Sequence, residues 1–530
     1  MPTSFNAGQW LVDRHLAAGN GDKIAVVDND GEMSYASLAD RVDRIAAGMS
    51  SLDIRPEERV VLFTADSADM IAVLLATIRI GSIAVPVSTM FTPSDLRGVL
   101  RDSRATTLIA SPEFTTTVNA AVADAPDLRQ VITLSDADIA APPSLPVHRL
   151  ADLLPTAASG VISGRPPYET WEDSPALWLY TSGTTGVPKA AMHRHASIRA
   201  VAETYATKVL GIRPDDRCFS VAKLFFAYGI GNSLWFPLSV GATAVIESRR
   251  PTPQLVAERL LEDQPTLFFG GPAFFSAILA AGVPKEVFAS VRLAASAGEC
   301  LPAPLQQRFT DMYGVPIIDG IGSTEALHIF LSNSPDDIRP GTTGRVVPGY
   351  DLQLLDDNDV AVPDGEPGTL YVRGPSLATG YWCRDNLTRQ VFRGEWLRTG
   401  DTYVRDAEGY YTCLGREADL IKAGGIWVTP LEVEHRLTEH PAVARAVVVG
   451  VRNAEGLETP VAFVILEAGS AATPDHLIDW CKEGMASYKR PRHIFVIDEL
   501  PTNANGKIQR AALRERASTT LRPGASAAAI

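Results

Sequence analysis

Leu179-Tyr180-Thr181-Ser182-Gly183-Thr184-Thr185-Gly186-Val187-Pro188-Lys189 runs from an apolar entry through hydroxyls and two glycines to a single lysine. Glycines let backbone amides converge on an anion, while the hydroxyls and Lys189 add donors and positive charge, so the stretch reads as a phosphate cradle. Its spacing is not that of a Walker loop, because Val187-Pro188 separates Gly186 from Lys189 and no Ser or Thr follows. A polar surface loop is the competing reading of the same composition. The preceding apolar run from Ala176 to Tyr180 predicts a strand, which puts the loop at a strand's carboxyl end, where open α/β sheets bind ligands.

Upstream, the pattern alternates strand and helix. A hairpin is expected around Lys23 to Met33, and Ser34 caps a helix with Leu38, Val42, Ile45, Ala46 and Met49 on one face. Strands at Arg59 to Phe63, Ile83 to Val87 and Thr107 to Ala110 are separated by helices over Met70 to Ile80 and from Thr92 onward. This β-α-β-α order predicts a mostly parallel sheet covered by helices. Downstream, strands at 243–246, 267–270 and 293–297 continue the alternation, and a strand from Val315 to Asp319 enters Gly320-Ile321-Gly322-Ser323-Thr324-Glu325. His193 and His195 read as helix surface or polar packing, without a catalytic role. From Gly368 the chain becomes β-rich and antiparallel in character, and beyond about 418 a small α+β domain is expected, ending in a frayed tail after Arg516.

A chain of 530 residues exceeds what one core usually holds, so two or more domains are expected. The net charge of −14 argues against general affinity for nucleic acid or anionic membrane. The five cysteines are scattered without metal-ligand spacing and read as reduced, buried small hydrophobes. No basic start with an apolar run follows Met1, and no segment reaches about 18 uninterrupted apolar residues, so a cytoplasmic location without membrane association is expected.

The stretch from Thr181 to Lys189 resembles the phosphate-binding signature of the adenylate-forming superfamily of acyl-CoA synthetases, luciferases and peptide-synthetase adenylation domains. Further signatures follow in order: Ala297-Gly298-Glu299, Gly320 to Glu325, Arg398-Thr399-Gly400-Asp401, Gly415-Arg416, and Asn505-Gly506-Lys507. Two stretches, Lys223 to Asn232 with its adjacent aromatics and Ala326 to Phe330, further resemble the benzoate-CoA-ligase branch. Alone, the former reads first as core packing, and His328 equally as a buried, satisfied histidine.

The resemblance implies a large α/β N-terminal domain (1–417) of stacked, mostly parallel sheets with helices plus a small β-rich subdomain. A mobile α+β C-terminal domain (418–516) follows on a hinge, then a flexible tail (517–530). It implies that Thr181, Ser182, Gly183, Thr184, Thr185, Gly186 and Lys189 hold the phosphates of ATP. The nucleotide is further met by Ala297, Gly298, Glu299, Asp319, Gly320, Ile321, Gly322, Ser323, Thr324 and Arg416, with Asp401 at the ribose. Glu325 is the Mg²⁺ ligand, which suits a hard cation commonly content with one or two carboxylates plus phosphate and water. Phe226, Ala227, Tyr228, Gly229 and His328 line the acyl pocket. Lys507 is the cation of the adenylation step, Ala418 the hinge, and Lys422, Gly424, Gly425 and Trp427 the coenzyme A loop.

The implied activity is AMP-forming ligation of an aromatic or bulky cyclic carboxylic acid to coenzyme A through an acyl-adenylate, the partners being small molecules and a homodimer remaining open. Two departures bear on it. Family members usually carry glycine where this chain has Ala190, and a methyl beside the triphosphate would tilt the loop or obstruct the nucleotide. The hinge position, usually Asp or Lys, is Ala418. Two other readings follow: an adenylation-impaired ligase that only thioesterifies a preformed adenylate, and a silent acyl- or nucleotide-binding paralogue.

Overall fold

The computed structural model describes residues 3–154, 166–182, 188–416, 419–423, 426–452, 458–502 and 508–521. It divides into two compact units, Met1–Leu352 with Val372–Arg398, and Gln353–Tyr371 with Thr399–Ile530.

The first unit holds two sheets. β1 (Ile24–Asp28) and β2 (Gly31–Ser34) form the expected hairpin. β3 (Arg59–Phe63), β4 (Ile83–Pro86), β5 (Thr107–Ala110), β6 (Gln130–Thr133), β7 (Val147–Arg149), β8 (Pro175–Ser182) and β9 (Pro188–Arg194) make a seven-stranded sheet ordered β7-β6-β5-β3-β4-β8-β9. It is parallel except for the β8–β9 pair. β10 (Arg217–Ser220), β11 (Thr243–Val245), β12 (Leu267–Gly270), β13 (Leu293–Ser296), β14 (Ile317–Gly322), β15 (Ile329–Ser332) and β16 (Arg345–Val346) join β1 and β2 in a nine-stranded sheet. Its order is β16-β15-β14-β13-β12-β10-β11-β1-β2.

Local chemistry fixes the covering helices. Ser34 accepts from the amide of Ser37 and starts the helix Tyr35–Ser51, whose buried face contains Leu38, Val42, Ile45, Ala46 and Met49. Thr92 and Asp95 form a reciprocal capping box with Pro93 in the first turn. The helix after β9 is α-helical only across His195–Val201 and continues as a π-helix, Ala202–Val209. A second π-turn, Gly231–Trp235, follows the short helix Ala227–Ile230. Such turns widen the backbone and recur at functional sites.

β17 (Asp351–Leu355), β18 (Pro367–Arg373), β19 (Phe392–Arg393), β20 (Trp396–Arg405) and β21 (Tyr411–Arg416) form the β-rich segment, in which β20 pairs antiparallel with β19 and β21. Beyond it lie β22 (Ile421–Ala423), β23 (Ile426–Val428), β24 (Val443–Arg452), β25 (Glu458–Leu466) and β26 (His493–Val496), ordered β23-β22-β25-β24 with β26 on β25. Helices Pro430–Thr438, Pro474–Gly484 and Arg510–Thr520 accompany this sheet. The last helix runs past Arg516, where a tail was expected, with Ala517 buried. Arg510 donates to Glu434 at 2.7 Å and to the carbonyl of Val448 at 2.7 Å, tying that helix to the unit's core. Cys218 and Cys481 are buried as expected, but Cys383 is exposed.

Candidate active site

β8 and β9 are the two arms of an antiparallel hairpin, in register Tyr180↔Ala190, Thr181↔Lys189 and Ser182↔Pro188. The cradle therefore joins strand to strand. Gly183, Thr184, Thr185 and Gly186 lie outside the described residues, and Ser182 is placed by its backbone alone. Alternation along β9 sorts its side chains onto two faces. Ala190 and Met192 pack into the sheet's hydrophobic core with Phe63, Val85 and Trp178, whereas Ala191 packs with Ala378 and Tyr381. Lys189 and His193 share the face of Ala191.

This corrects the expectation for Ala190. Its methyl is fully buried on the core side of the strand, so it does not stand on the face that carries Lys189. The expectation placed the methyl by sequence adjacency to Lys189, but in a strand adjacent residues face opposite ways.

Lys189 meets Glu325 through a residue the sequence reading missed. The segment from Thr379 to Trp382 runs along the free edge of β9: Met192 donates to the carbonyl of Gly380, Thr379 to that of Met192, and Trp382 to that of Ala190. Ala191 and Tyr381 form an antiparallel bridge. The Tyr381 phenol consequently reaches the lysine, which donates to it at 2.8 Å and lies 4.0 Å from its ring centroid. The phenol in turn donates to Glu325 Oε1 at 2.6 Å, while Lys189 Nζ is 3.6 Å from that oxygen. Burial, then the neighbouring Glu325 charge, raise the Tyr381 pKa, so the phenol stays protonated as a donor. The signal available in sequence was only an aromatic after glycine, Gly380-Tyr381-Trp382, whose distance to Lys189 no local pattern encodes.

Glu325 sits in a single turn, Thr324–Ala326, capped by Ser323. Three successive carbonyls of that turn are held from outside it. His193 Nε2 donates to Thr324 at 2.8 Å, the amide of Ala378 to Glu325 at 2.8 Å, and Ser376 Oγ to Ala326 at 2.6 Å. His193 is buried on a strand, which is the polar packing of the two expected alternatives rather than the helix surface, and burial lowers its pKa to about 4. The neutral ring with hydrogen on Nε2 is what the Thr324 carbonyl requires. Leu327 follows at φ 65°, an uncommon conformation for a buried leucine that turns the chain from Glu325 toward His328. Among the described residues there is no group of three or more His, Cys, Asp or Glu suited to a metal. One half-buried carboxylate held at its backbone and at one oxygen fits a Mg²⁺ carried mainly by phosphate oxygens and water.

His328 is enclosed by aromatic rings, with centroids of Phe236, Tyr205 and Tyr228 at 4.5, 5.4 and 5.5 Å. Burial lowers its pKa to about 3, so the imidazole is neutral. The π-turn brings Gly231 against it: a Cβ there would stand 2.3 Å from His328 Cδ2. Tyr228 donates to the carbonyl of Ala295 at 2.9 Å, and the rings of Phe225 and Phe226 are 4.4 Å apart. Phe226, Ala227 and Tyr228 keep some exposure. Gly229 has a local reason to be glycine, since a Cβ there would lie 2.0 Å from the carbonyl oxygen of Lys223.

The β13 and β14 ends lie side by side in register Ser296↔Asp319, from which Ala297-Gly298-Glu299 and Gly320-Ile321-Gly322 each continue the chain. Asp319 is buried, and burial pushes its carboxyl well above the usual range. In the second unit, Asp401 and Arg416 face each other across β20 and β21, with Nε to Oδ1 at 3.1 Å. Arg416 also donates to the carbonyl of Thr399 at 3.0 Å, so this carboxylate is presented by a fixed guanidinium. Lys422 and Trp427 are opposite each other in the β22–β23 hairpin. Gly424, Gly425, Ala418 and Lys507 lie outside the described residues.

Residues 13–382 match the AMP-binding enzyme family and residues 432–507 the AMP-binding enzyme C-terminal domain. The chain is 41% identical over 521 residues to a benzoate–CoA ligase of Thauera aromatica, covering 97% of this chain and 96% of that protein. It is also 41% identical to a 4-hydroxybenzoate–CoA/benzoate–CoA ligase of Rhodopseudomonas palustris, covering 96% and 94%. Among solved structures, the anthranilate CoA ligase AuaEII in complex with anthranoyl-AMP superposes with a TM-score of 0.89 at 36% identity, covering 97% of this chain and 98% of that one. A benzoate CoA ligase from Burkholderia xenovorans LB400 gives 0.86 at 39%, covering 96% and 100%. Carrying the Lys189–Tyr381–Glu325 constellation on this fold, the chain belongs to the AMP-binding, adenylate-forming enzymes, in their benzoate-CoA-ligase-like branch.

Proposed function

We propose that this enzyme, an AMP-forming acid–thiol ligase, activates benzoate or a small hydroxy- or amino-substituted benzoate as its adenylate and transfers the acyl group to coenzyme A. The observation that carries the reading is the aromatic enclosure of His328 in the same unit as Lys189 and Glu325, in a chain alike over nearly its full length to ligases of such acids.

A carboxylate is a poor acyl donor because oxide would have to leave. Attack of its oxygen on the α-phosphorus of ATP expels pyrophosphate and leaves AMP as the later leaving group. The barrier is largely charge repulsion, so positioning and fixed positive charge do most of the catalysis. Lys189 and the hydroxyls from Thr181 to Thr185 hold the phosphates, Glu325 holds Mg²⁺, which neutralises phosphate charge, and Lys507 meets the attacking carboxylate. Ala297 to Glu299 and Asp319 to Thr324 receive the base, and Asp401, held by Arg416, accepts from the ribose hydroxyls. In the second half-reaction the thiol attacks the acyl carbon and AMP leaves. Rotation of residues 418–516 about Ala418 withdraws Lys507 and presents the loop carrying Lys422, Gly424, Gly425 and Trp427 to the pantetheine arm. A cytoplasmic location suits an enzyme fed by ATP and coenzyme A, and a homodimer is compatible with this scheme.

The test is ATP–pyrophosphate exchange over benzoate, 3- and 4-hydroxybenzoate, 2-aminobenzoate and aliphatic acids, alongside CoA thioester formation from synthetic benzoyl-adenylate. Both activities are expected with an aromatic acid. Exchange confined to aliphatic acids would overturn the substrate class. Loss of exchange with retained thioesterification in Lys507→Ala is the expected signature of the lysine's role, and unimpaired exchange would refute it.

A further inference from the structure

We propose that Tyr381 is a positioning residue for the adenylation step, a neutral spacer that holds the Lys189–Glu325 ion pair at 3.6 Å, short of a direct hydrogen bond. The inference rests on the reading of Lys189 as a phosphate-side group and Glu325 as the metal-side group.

A lysine and a glutamate beside one another, both mostly buried, have a strong tendency to close into a direct ion pair. Closed to hydrogen-bond contact, the pair would engage on itself the ammonium hydrogens and the carboxylate oxygen that phosphate and metal need. Here the separation is 3.6 Å, longer than a charge-assisted hydrogen bond, and the phenol oxygen is bonded to both partners from one side. It accepts from the ammonium at 2.8 Å and donates to the carboxylate at 2.6 Å, matching donor to acceptor at both ends. Both contacts to the carboxylate are made at Oε1, which fixes its rotation while its second oxygen can serve a cation. The ring also presents a π face to the ammonium at 4.0 Å, holding Lys189 on the correct side of the strand without cancelling its charge.

The phenol is not left to find this position by itself. Its backbone is bridged to Ala191, and its amide donates to Thr388 Oγ1 at 3.0 Å. Its ring packs with Ala191, Ala378, Leu387 and Phe392, the last at 5.5 Å between centroids. The hydroxyl is thus a rigidly aimed group on an apolar support, an arrangement of the kind that preorganises charged side chains.

Tyr381→Phe keeps the ring, its packing and its π face and removes only the oxygen. Binding of a non-hydrolysable ATP analogue, followed calorimetrically across a Mg²⁺ titration, is expected to weaken about tenfold, the scale of one lost charge-assisted hydrogen bond. The Mg²⁺ concentration for half-maximal binding should rise with it. In exchange assays KM for MgATP should rise more than the KM for the acid. A crystal structure of the variant should show the Lys189–Glu325 distance shortened to a direct pair. In a double-mutant cycle with Glu325→Gln, the two losses should be strongly non-additive, because the phenol acts through the carboxylate. Analogue binding and Mg²⁺ dependence matching the parent enzyme in a variant with an unchanged unfolding midpoint would overturn the proposal, as would additive effects in the cycle. Should Tyr381→Phe fail to fold, Tyr381→His provides a ring with its own donor. Restored Mg²⁺-dependent analogue binding then supports the spacer role, and a folded variant without it refutes that role.

Discussion

Ala190→Gly separates two accounts of the cradle. If the methyl crowded the triphosphate, its removal would raise ATP–pyrophosphate exchange. The structure places the methyl on the opposite face of β9 from Lys189, fully buried with Phe63, Val85 and Trp178. Removing it therefore takes apolar contact out of the seven-stranded sheet, costing about 0.8 kcal/mol for the lost buried carbon. Glycine within a strand adds about 0.5–1 kcal/mol in backbone entropy. The expected result is a loss of roughly 1.5 kcal/mol in stability. It should be read as a lower midpoint in thermal or denaturant unfolding, with kcat and KM for ATP in exchange within about twofold of the parent, since 0.4 kcal/mol is a factor of two. Both strands of the hairpin keep their register, because the Tyr180↔Ala190 pair is joined through backbone groups that glycine retains. A tenfold or greater gain in exchange with an unchanged midpoint would show that the methyl does face the nucleotide and refute the assignment of faces along β9.

Further outcomes follow from the same geometry. Gly231→Ala would force a Cβ to 2.3 Å from His328 Cδ2, so the imidazole must move; KM for the aromatic acid should rise at least tenfold while KM for ATP changes little, and an unaffected acid KM would place His328 away from the acyl group. The buried His193 and His328, with pKa values lowered to about 4 and about 3, bind fewer protons when folded than unfolded near pH 5. Stability should therefore rise with pH from about 3, more steeply from about 4, and level off above about 6.5, the ordinary histidine value; His193→Gln should reduce the slope above about 4, and an unaltered slope would refute the linkage.

Much of the fold was legible because it is written locally. The cap at Ser34 with its apolar face, the capping box at Thr92, and the short β-branched runs at 59–63 and 107–110 each carry their own period or boundary chemistry, and the elements formed there. The π-turns at 202–209 and 231–235 were not legible, because an inserted residue in a helix leaves the hydrophobic pattern nearly unchanged and is fixed by what the helix packs against. For His193 the choice between helix surface and polar packing stayed open in sequence because its strand, β9, is recognised only through its pairing with β8.

The site divides in the same way. Lys189, Glu325, His328 and the aromatic run at 225–228 stand out in sequence, since each is an unusual residue type in a glycine-rich or aromatic setting that chemistry makes distinctive. Sequence by itself thus determined the scaffold, the branch of the family and the identity of the charged groups. Tertiary structure decided which of them meet and through what. Tyr381 reaches Lys189 across 192 positions of sequence because the 379–382 segment pairs with the edge of β9. Ala190 faces away from Lys189 because strand pleating turns it into the core. Both outcomes depend on strand pairing and facing, which arise from contacts between distant segments and leave no mark in the local order of residues.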